Sequence, residues 1–277
     1  MSDSTTEFPT STLPRFSTVE GAGPAGDAPD LVPATSAGRL SGIVRPVSEL
    51  TPDEHERLYS LLQRYFNNVT RAQFEQDLAE KDRVILLTDS LIGQIQGFST
   101  LMQLRVVIDD RPVVAFFSGD TIVERAYWGE SALSRLWSRY VFGYAGQIRR
   151  AAPETRVYWF LICSGYKTYR FLPTFFREFY PAYDRPTPQG VKRILDALAW
   201  LKFPSEYEAE RGVVRLGQAT PLRPEVAAIT AHVRANPHVA FFVAANPGHV
   251  DGDELACLTE IIPDNLTAAG RRMLGVS

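Results

Sequence analysis

"SGDTIVERAYWGESALSRLW", residues 118–137, holds the change of period that decides the fold. Up to Val123 the run reads as a strand, whereas Leu133, Leu136, Trp137, Tyr140 and Val141 recur at helical spacing, with Gly129 in the loop between. A strand that turns tightly into a helix leaves the first N–H groups of that helix without intrahelical partners. Together with the helix dipole they favour an anion. Gly129 supplies backbone freedom, and Ser131 a hydroxyl suited to capping the helix or donating to a phosphate oxygen. The same loop also suits a plain corner of an α/β core, where a Gly and a Ser cap serve folding alone.

Downstream, the helix is expected to reach about Arg150 and to lead into the buried strand "RVYWFLIC" (156–163), forming a βαβ unit with a right-handed crossover. Upstream, "RVILLTD" (83–89), "LIGQIQGFSTLMQLRVVID" (91–109) and "VVAFFSGDTIV" (113–123) are joined by hairpin-length connections and read as antiparallel neighbours. Before them come a strand at "GIVRPV" (42–47) and a helix at "LTPDEHERLYSLLQRYF", with Thr51 as N-cap, Pro52 in the first turn and Asp53 and Glu54 at its positive end. A second helix, "TRAQFEQDLAEKD" (70–82), is capped by Thr70. After residue 163, "GYKTYRFLPTFFREFYP" (165–181) reads as helical with a break before Pro173. "TPQGVKRILDALAWLKF" (187–203) and a stretch near 223–235 read as further helices, "HVAFFVAA" (238–245) as a strand, and "NPGHVDGDE" as a turn before the short segment "LACLTEII".

The chain has 277 residues, 45% of them hydrophobic, and a formal net charge of −3, which supports a real core and gives no general attraction to nucleic acid or anionic membrane. No apolar run approaches the roughly 20 residues of a membrane span. "MSDSTTEFPTS" has neither a basic nor an apolar signal-peptide region, and Cys163 and Cys257 make no disulfide framework, so a reducing, cytoplasmic home is expected. Residues 1–37 are rich in Ser, Thr, Pro, Gly and Ala and read as a disordered lead.

The order strand, two helices, three antiparallel strands, helix, strand, helix resembles that of the GNAT superfamily of N-acyltransferases over roughly residues 40–180. In that family the loop V-x-x-x-(Y)-[RQ]-G-x-G-x-[GA] holds the pyrophosphate of acyl-coenzyme A. "VERAYWGESAL" is similar to it, with Val123, Tyr127 and Gly129 on matching positions and Trp128, Ser131 and Leu133 departing from it. Backbone donors need no particular side chain, so the resemblance implies a donor site at Val123, Trp128, Gly129, Glu130, Ser131, Ala132 and Leu133. It also implies a mixed, mainly antiparallel sheet flanked by helices in 38–185; the elements read in the remaining 186–277 are expected to form a C-terminal α/β extension packed on it. The implied activity is transfer of an acyl group from coenzyme A or acyl carrier protein to a small-molecule or peptide amine, and the large aromatic residues of 157–183, which suit a long apolar chain as well as a core, favour fatty acyl over acetyl. The alternative is a non-catalytic module that binds an acyl carrier or a protein partner, and a homodimer through the C-terminal segment is a further expectation.

Acyl transfer to an amine needs a base for the amine, a donor for the oxyanion and an acid for the leaving thiolate. In the family the acid is often a Tyr after the fifth strand, which implies Tyr169, with Tyr166 second. Asp120, near the end of a buried strand, is a candidate base and equally a strand-end hydrogen-bond acceptor. Cys163 ends a buried strand and is a candidate nucleophile for an acyl-enzyme, or a small buried hydrophobe. Lys167, Arg170, Arg177, Arg185, Arg149 and Arg150 could line a phosphate or carrier-protein patch, or simply face solvent. His249, Asp251, Asp253, Glu254 and Cys257 are metal-ligand types, but their spacing fits no zinc or calcium pattern, so a turn and no metal are expected. Neither a G-x-S-x-G elbow nor a P-loop is present.

Overall fold

The computed structural model describes residues 17–18 and 38–276, so the expected disordered lead lies almost wholly outside the described residues. In chain order the elements are β1 (Ser17–Thr18), β2 (Leu40–Pro46), α1 (Pro52–Tyr65), α2 (Arg71–Ala79), β3 (Arg83–Asp89), β4 (Ile95–Ile108), β5 (Arg111–Val123), α3 (Ala132–Ala151) and β6 (Arg156–Cys163). There follow α4 (Tyr166–Tyr169), α5 (Phe171–Phe175), α6 (Gln189–Lys202), β7 (Tyr207–Glu208), β8 (Val213–Val214), α7 (Pro224–Ala227), α8 (Ala231–Arg234), α9 (Pro237–Ala245), β9 (Glu254–Glu260) and α10 (Ala268–Leu274). The strands form one sheet in the order β2-β3-β4-β5-β6-β9-β8-β7, with β1 on β4. Every neighbouring pair is antiparallel except β5 and β6.

Local chemistry explains the first elements. Thr51 and Glu54 exchange side-chain and backbone bonds in a capping box at the start of α1, where Pro52 occupies the first turn. Leu58, Leu61, Leu62 and Tyr65 form its buried stripe. That stripe joins Phe74 and Leu78 of α2 over Val84, Leu86, Phe98 and Ile122. α6 covers the same face further along, over Val113, Ala115, Phe117 and Phe160. The opposite face carries α3 and the C-terminal helices, with Leu136, Val141 and Ala145 over Ile85, Leu87 and Phe116. Both faces of the central strands are therefore buried.

Three local expectations change. "VAFFVAA" is helical, not a strand: Asn236 caps α9 by accepting from the His238 amide and Pro237 takes its first position. A short apolar run does not distinguish a buried helix from a buried strand, and the Asn-Pro start signal decides it. The helical stretch after β6 divides at Arg170 and ends at Phe175, with Pro173 inside α5, and residues 176–181 are non-helical, with single bridges from Phe176 to Leu266 and from Tyr180 to Leu258. The expected helix near 223–235 is two single turns, α7 and α8. "LACLTEII" supplies β9, which pairs with β6 from Tyr158↔Glu260 to Cys163↔Leu255, so the segment after residue 186 adds strands to the same sheet.

Candidate active site

The single parallel pairing ends at Ser118↔Leu161. Beyond it β5 continues along β4 to Val123, and β6 continues along β9 to Cys163. The two strands thus part company, and the wedge between them opens on a cavity of about 240 Å³. Its aromatic wall includes Phe74, Phe117, Trp137, Trp159, Phe175 and Phe203, and its polar end includes Asp77, Lys81, Ser118, Asp120, Lys202 and Glu254.

A bulge aims Asp120. Ser99 pairs with Thr121 and Leu101 with Ser118, so Gly119 and Asp120 of β5 oppose Thr100 alone. Such bulges re-aim side chains where a ladder is interrupted. A Cβ at position 119 would stand 2.6 Å from Lys81 Cε and 2.6 Å from Thr100 Oγ1, so any side chain there would displace Lys81 and Thr100. Lys81 is buried and donates to the Asp77 carbonyl at 2.7 Å, and loss of hydration pulls its ammonium pKa down.

The same loss of hydration pushes the Asp120 carboxyl up to about 6, against the attraction of Lys81 and Lys202. Glu254 is pushed up to about 7 by desolvation and by the nearby Asp120 and Asp77 charges, although Ser164 Oγ donates to its Oε2 at 3.2 Å. Two carboxyl groups in one cavity therefore titrate near neutrality, as a coupled pair.

At the point of divergence Ser118 Oγ accepts two indole hydrogen bonds, from Trp137 Nε1 at 3.1 Å and from Trp159 Nε1 at 2.9 Å. The two indoles pack together with centroids 4.3 Å apart. The sequence gives no sign of a role for Lys81 or Ser118, and marks Glu254 only as one acidic residue of a turn, since each meets the cavity only through pairing between distant segments. The Gly119–Asp120 dipeptide inside a strand was the one local signal of the bulge.

Residues 124–131 are pinned at both ends. Tyr65 donates to Glu124 Oε2 at 3.0 Å and accepts from the Arg125 amide at 2.7 Å. Tyr127 donates to Asp89 Oδ2 at 2.5 Å, and this bond, with those from the Leu91 and Ile92 amides and Arg39, holds the Asp89 carboxyl down at about 2. Gly129 has φ +98°, with open space where a side chain would be. Ser131 stands at the N-cap of α3, but its hydroxyl makes no capping bond, and the carboxylate of Glu130 is taken by the Leu40 amide at 3.0 Å. Trp128 is 42% exposed and donates to the Val123 carbonyl at 2.8 Å. Lys167 Nζ lies 4.1 Å from the centroid of the Trp128 ring and Arg125 Cζ 5.6 Å. Ala132 is buried behind the loop, while Leu133 and Ser134 reach the cavity wall.

The remaining candidates lie elsewhere. Tyr169 is fully buried and donates to the Pro181 carbonyl at 2.9 Å, among Phe179, Phe241 and Phe242. Cys163 is also fully buried, its sulfur 3.9 Å from that of Cys257, and burial pushes its thiol well up. Neither belongs to the cavity wall, so the structure brings Asp120, Leu133 and the α3 N-terminus together and leaves Tyr169 and Cys163 in the core. Asp253 accepts from Arg215 at 3.0 Å within the turn that precedes β9. Among the described residues no group of three or more His, Cys, Asp or Glu is placed to hold a metal, and no helix is long and apolar enough to cross a membrane.

No family model matches the chain, and no curated protein matches it. Solved structures with a similar fold include GNAT-family N-acetyltransferases. One is a conserved protein of unknown function from Enterococcus faecalis, described as a probable N-acyltransferase, with 15% identity, a TM-score of 0.35, and 59% of this chain and 43% of that one covered. The match thus spans less than half of the E. faecalis protein. A GNAT-family N-acetyltransferase from Escherichia coli, solved with CoA, shares 17% identity at a TM-score of 0.31 over 49% of this chain and 70% of that one. Glucosamine-6-phosphate N-acetyltransferase from Arabidopsis thaliana shares 14% identity at a TM-score of 0.29 over 44% and 82%.

Proposed function

We propose that the protein transfers an acyl group from a coenzyme A thioester to an amine. The reading is carried by the wedge beyond Ser118↔Leu161, where one cavity combines a carboxyl that titrates near neutrality, an apolar aromatic wall and the first turn of a 20-residue helix. The donor's phosphates would lie at the amides of Gly129 and of residues 131–133, the Glu130 amide being taken by the Tyr127 carbonyl, with Arg125 and Lys167 beside Trp128 adding positive charge. Its thioester would extend into the wedge. The density of Phe and Trp on the wall supports an apolar, fatty acyl group over acetyl.

Asp120 is ionised at neutral pH and serves as the base. The amine nitrogen adds to the thioester carbon as its proton passes to Asp120, and the carbonyl π pair moves onto oxygen. Collapse restores the carbonyl and breaks the C–S bond, and Glu254, still partly protonated, supplies the proton to the departing sulfur. Solvent then returns a proton to Glu254 and takes one from Asp120.

Calorimetry with coenzyme A, acetyl-CoA, octanoyl-CoA and an acyl carrier protein, followed by a thiol-release assay with a panel of amines, tests the reading. Binding of a CoA thioester with thiol release that depends on amine is the expected result. Binding of carrier protein alone would replace the donor, binding without turnover would leave a non-catalytic module, and no binding at high micromolar concentration would end the reading.

A further inference from the structure

We propose that the Ser118 hydroxyl is the hydrogen-bond donor to the acyl carbonyl oxygen, a role that rests on the acyltransferase reading. The inference comes from counting protons. An indole N–H donates and cannot accept, whereas a serine hydroxyl has two acceptor lone pairs and one proton. Trp137 Nε1 and Trp159 Nε1 both donate to Ser118 Oγ, so both lone pairs are occupied and the hydroxyl is left with its proton alone to offer. Among the described residues that proton meets no acceptor.

Its position gives the spare proton a use. Ser118 is the last residue of β5 paired with β6, lines the cavity together with Leu133 and Ser134 of the first turn of α3, and lies two residues before the bulged Asp120. A thioester drawn into this cavity toward the base comes up against the wall that Ser118 lines. The two indoles come from different elements, α3 and β6, and pack on each other, so the hydroxyl is held from two sides before any ligand arrives. A donor fixed in advance loses nothing to reorientation as charge builds on the oxygen, and two incoming N–H bonds polarise the O–H further. The O–H bond itself is not broken. When the amine adds, the π pair moves onto the carbonyl oxygen and the Ser118 bond to it tightens; when the C–S bond breaks, that pair returns and the bond relaxes.

The experiment uses acetyl-CoA and octanoyl-CoA carrying carbon-13 at the carbonyl, bound to the wild type, S118A and S118T, with isotope-edited infrared spectra and kcat and KM from thiol release. Expected are a carbonyl stretch at lower frequency in the wild type and S118T than in S118A, and a kcat for S118A about 10²-fold lower at a donor KM within twofold. Should S118A fail to fold once both indoles lose their acceptor, S118C keeps the side-chain volume with a far weaker donor and is compared in its place. A stretch unchanged between wild type and variant, in a protein that binds and turns over the thioester, overturns the role of Ser118 alone. Failure of the wild type to bind either thioester overturns the acyltransferase reading and this assignment with it.

Discussion

Asp120 and Cys163 occupy equivalent places on the two strands that diverge. Each lies two residues beyond the last parallel pair, Asp120 after Ser118 and Cys163 after Leu161. On β6 the strand stays regular and keeps its pairing with β9, so Cys163 pairs with Leu255 and is sealed in the core. On β5 the extra residue of the bulge breaks the alternation, and Asp120 enters the cavity. Burial raises the pKa of both groups, yet only the carboxyl has a ligand-sized space in front of it. A shifted pKa marks a reactive group only where the backbone also provides access.

The largest expected effect separates these two positions. Asp120→Asn lowers kcat/KM by about 10²-fold or more, within the range for loss of a general base, while Cys163→Ser changes it by less than about twofold. A folded but inactive Cys163→Ser protein in a thiol-release assay would invert the comparison. Next comes the loop that leads from β5 to α3. Tyr127→Phe removes the hydroxyl that Asp89 accepts, and calorimetry should show weaker coenzyme A binding by several-fold, with thermal stability also reduced.

The two cavity carboxyls set the pH dependence. Activity should rise with pH as Asp120 ionises near 6 and fall above about 7 as Glu254 loses its proton, the limbs belonging to the pair. Both folded-state values lie above those of the unfolded chain, so each carboxylate destabilises the fold above its folded pKa and is neutral in effect below its unfolded one. Asp120→Asn should therefore stabilise the protein at pH 8, by roughly 1–3 kcal/mol in denaturant titrations, with the gain vanishing toward pH 4. The smallest effect belongs to the β6 side. Tyr169→Phe loses one hydrogen bond to the Pro181 carbonyl, about 1 kcal/mol of stability, and leaves turnover unchanged.

Elements built from local signals were legible in advance. The Thr51 cap with Pro52 in the first turn, the Thr70 cap and the change of period across Gly129 each name an element through its own residues, and the βαβ unit follows from their order. α9 was misread because seven apolar residues carry no period of their own, and the informative pair, Asn236 and Pro237, stands outside the run. At the site, Asp120 was visible because it interrupts an apolar strand. Glu254 was visible only as part of an acidic turn, since what raises its pKa is burial and the Asp120 and Asp77 charges, which only the fold brings near it from more than 130 residues away in sequence. Tyr169 was placed by analogy of order, and order does not say which way a ring faces once α4 packs under α9.

The lateness of β9 has a consequence for biosynthesis. One wall of the wedge depends on a strand that ends at Glu260, whereas β5 is complete at Val123. A ribosome makes about 5–20 residues each second, so the exposed edge of β6 waits several seconds for its partner. During that interval the apolar edge "VYWFLIC" is open to pairing with other chains. Nascent chains arrested before residue 254 should therefore be the aggregation-prone species, and a chaperone that shields β6 until β9 arrives would raise the yield of native protein.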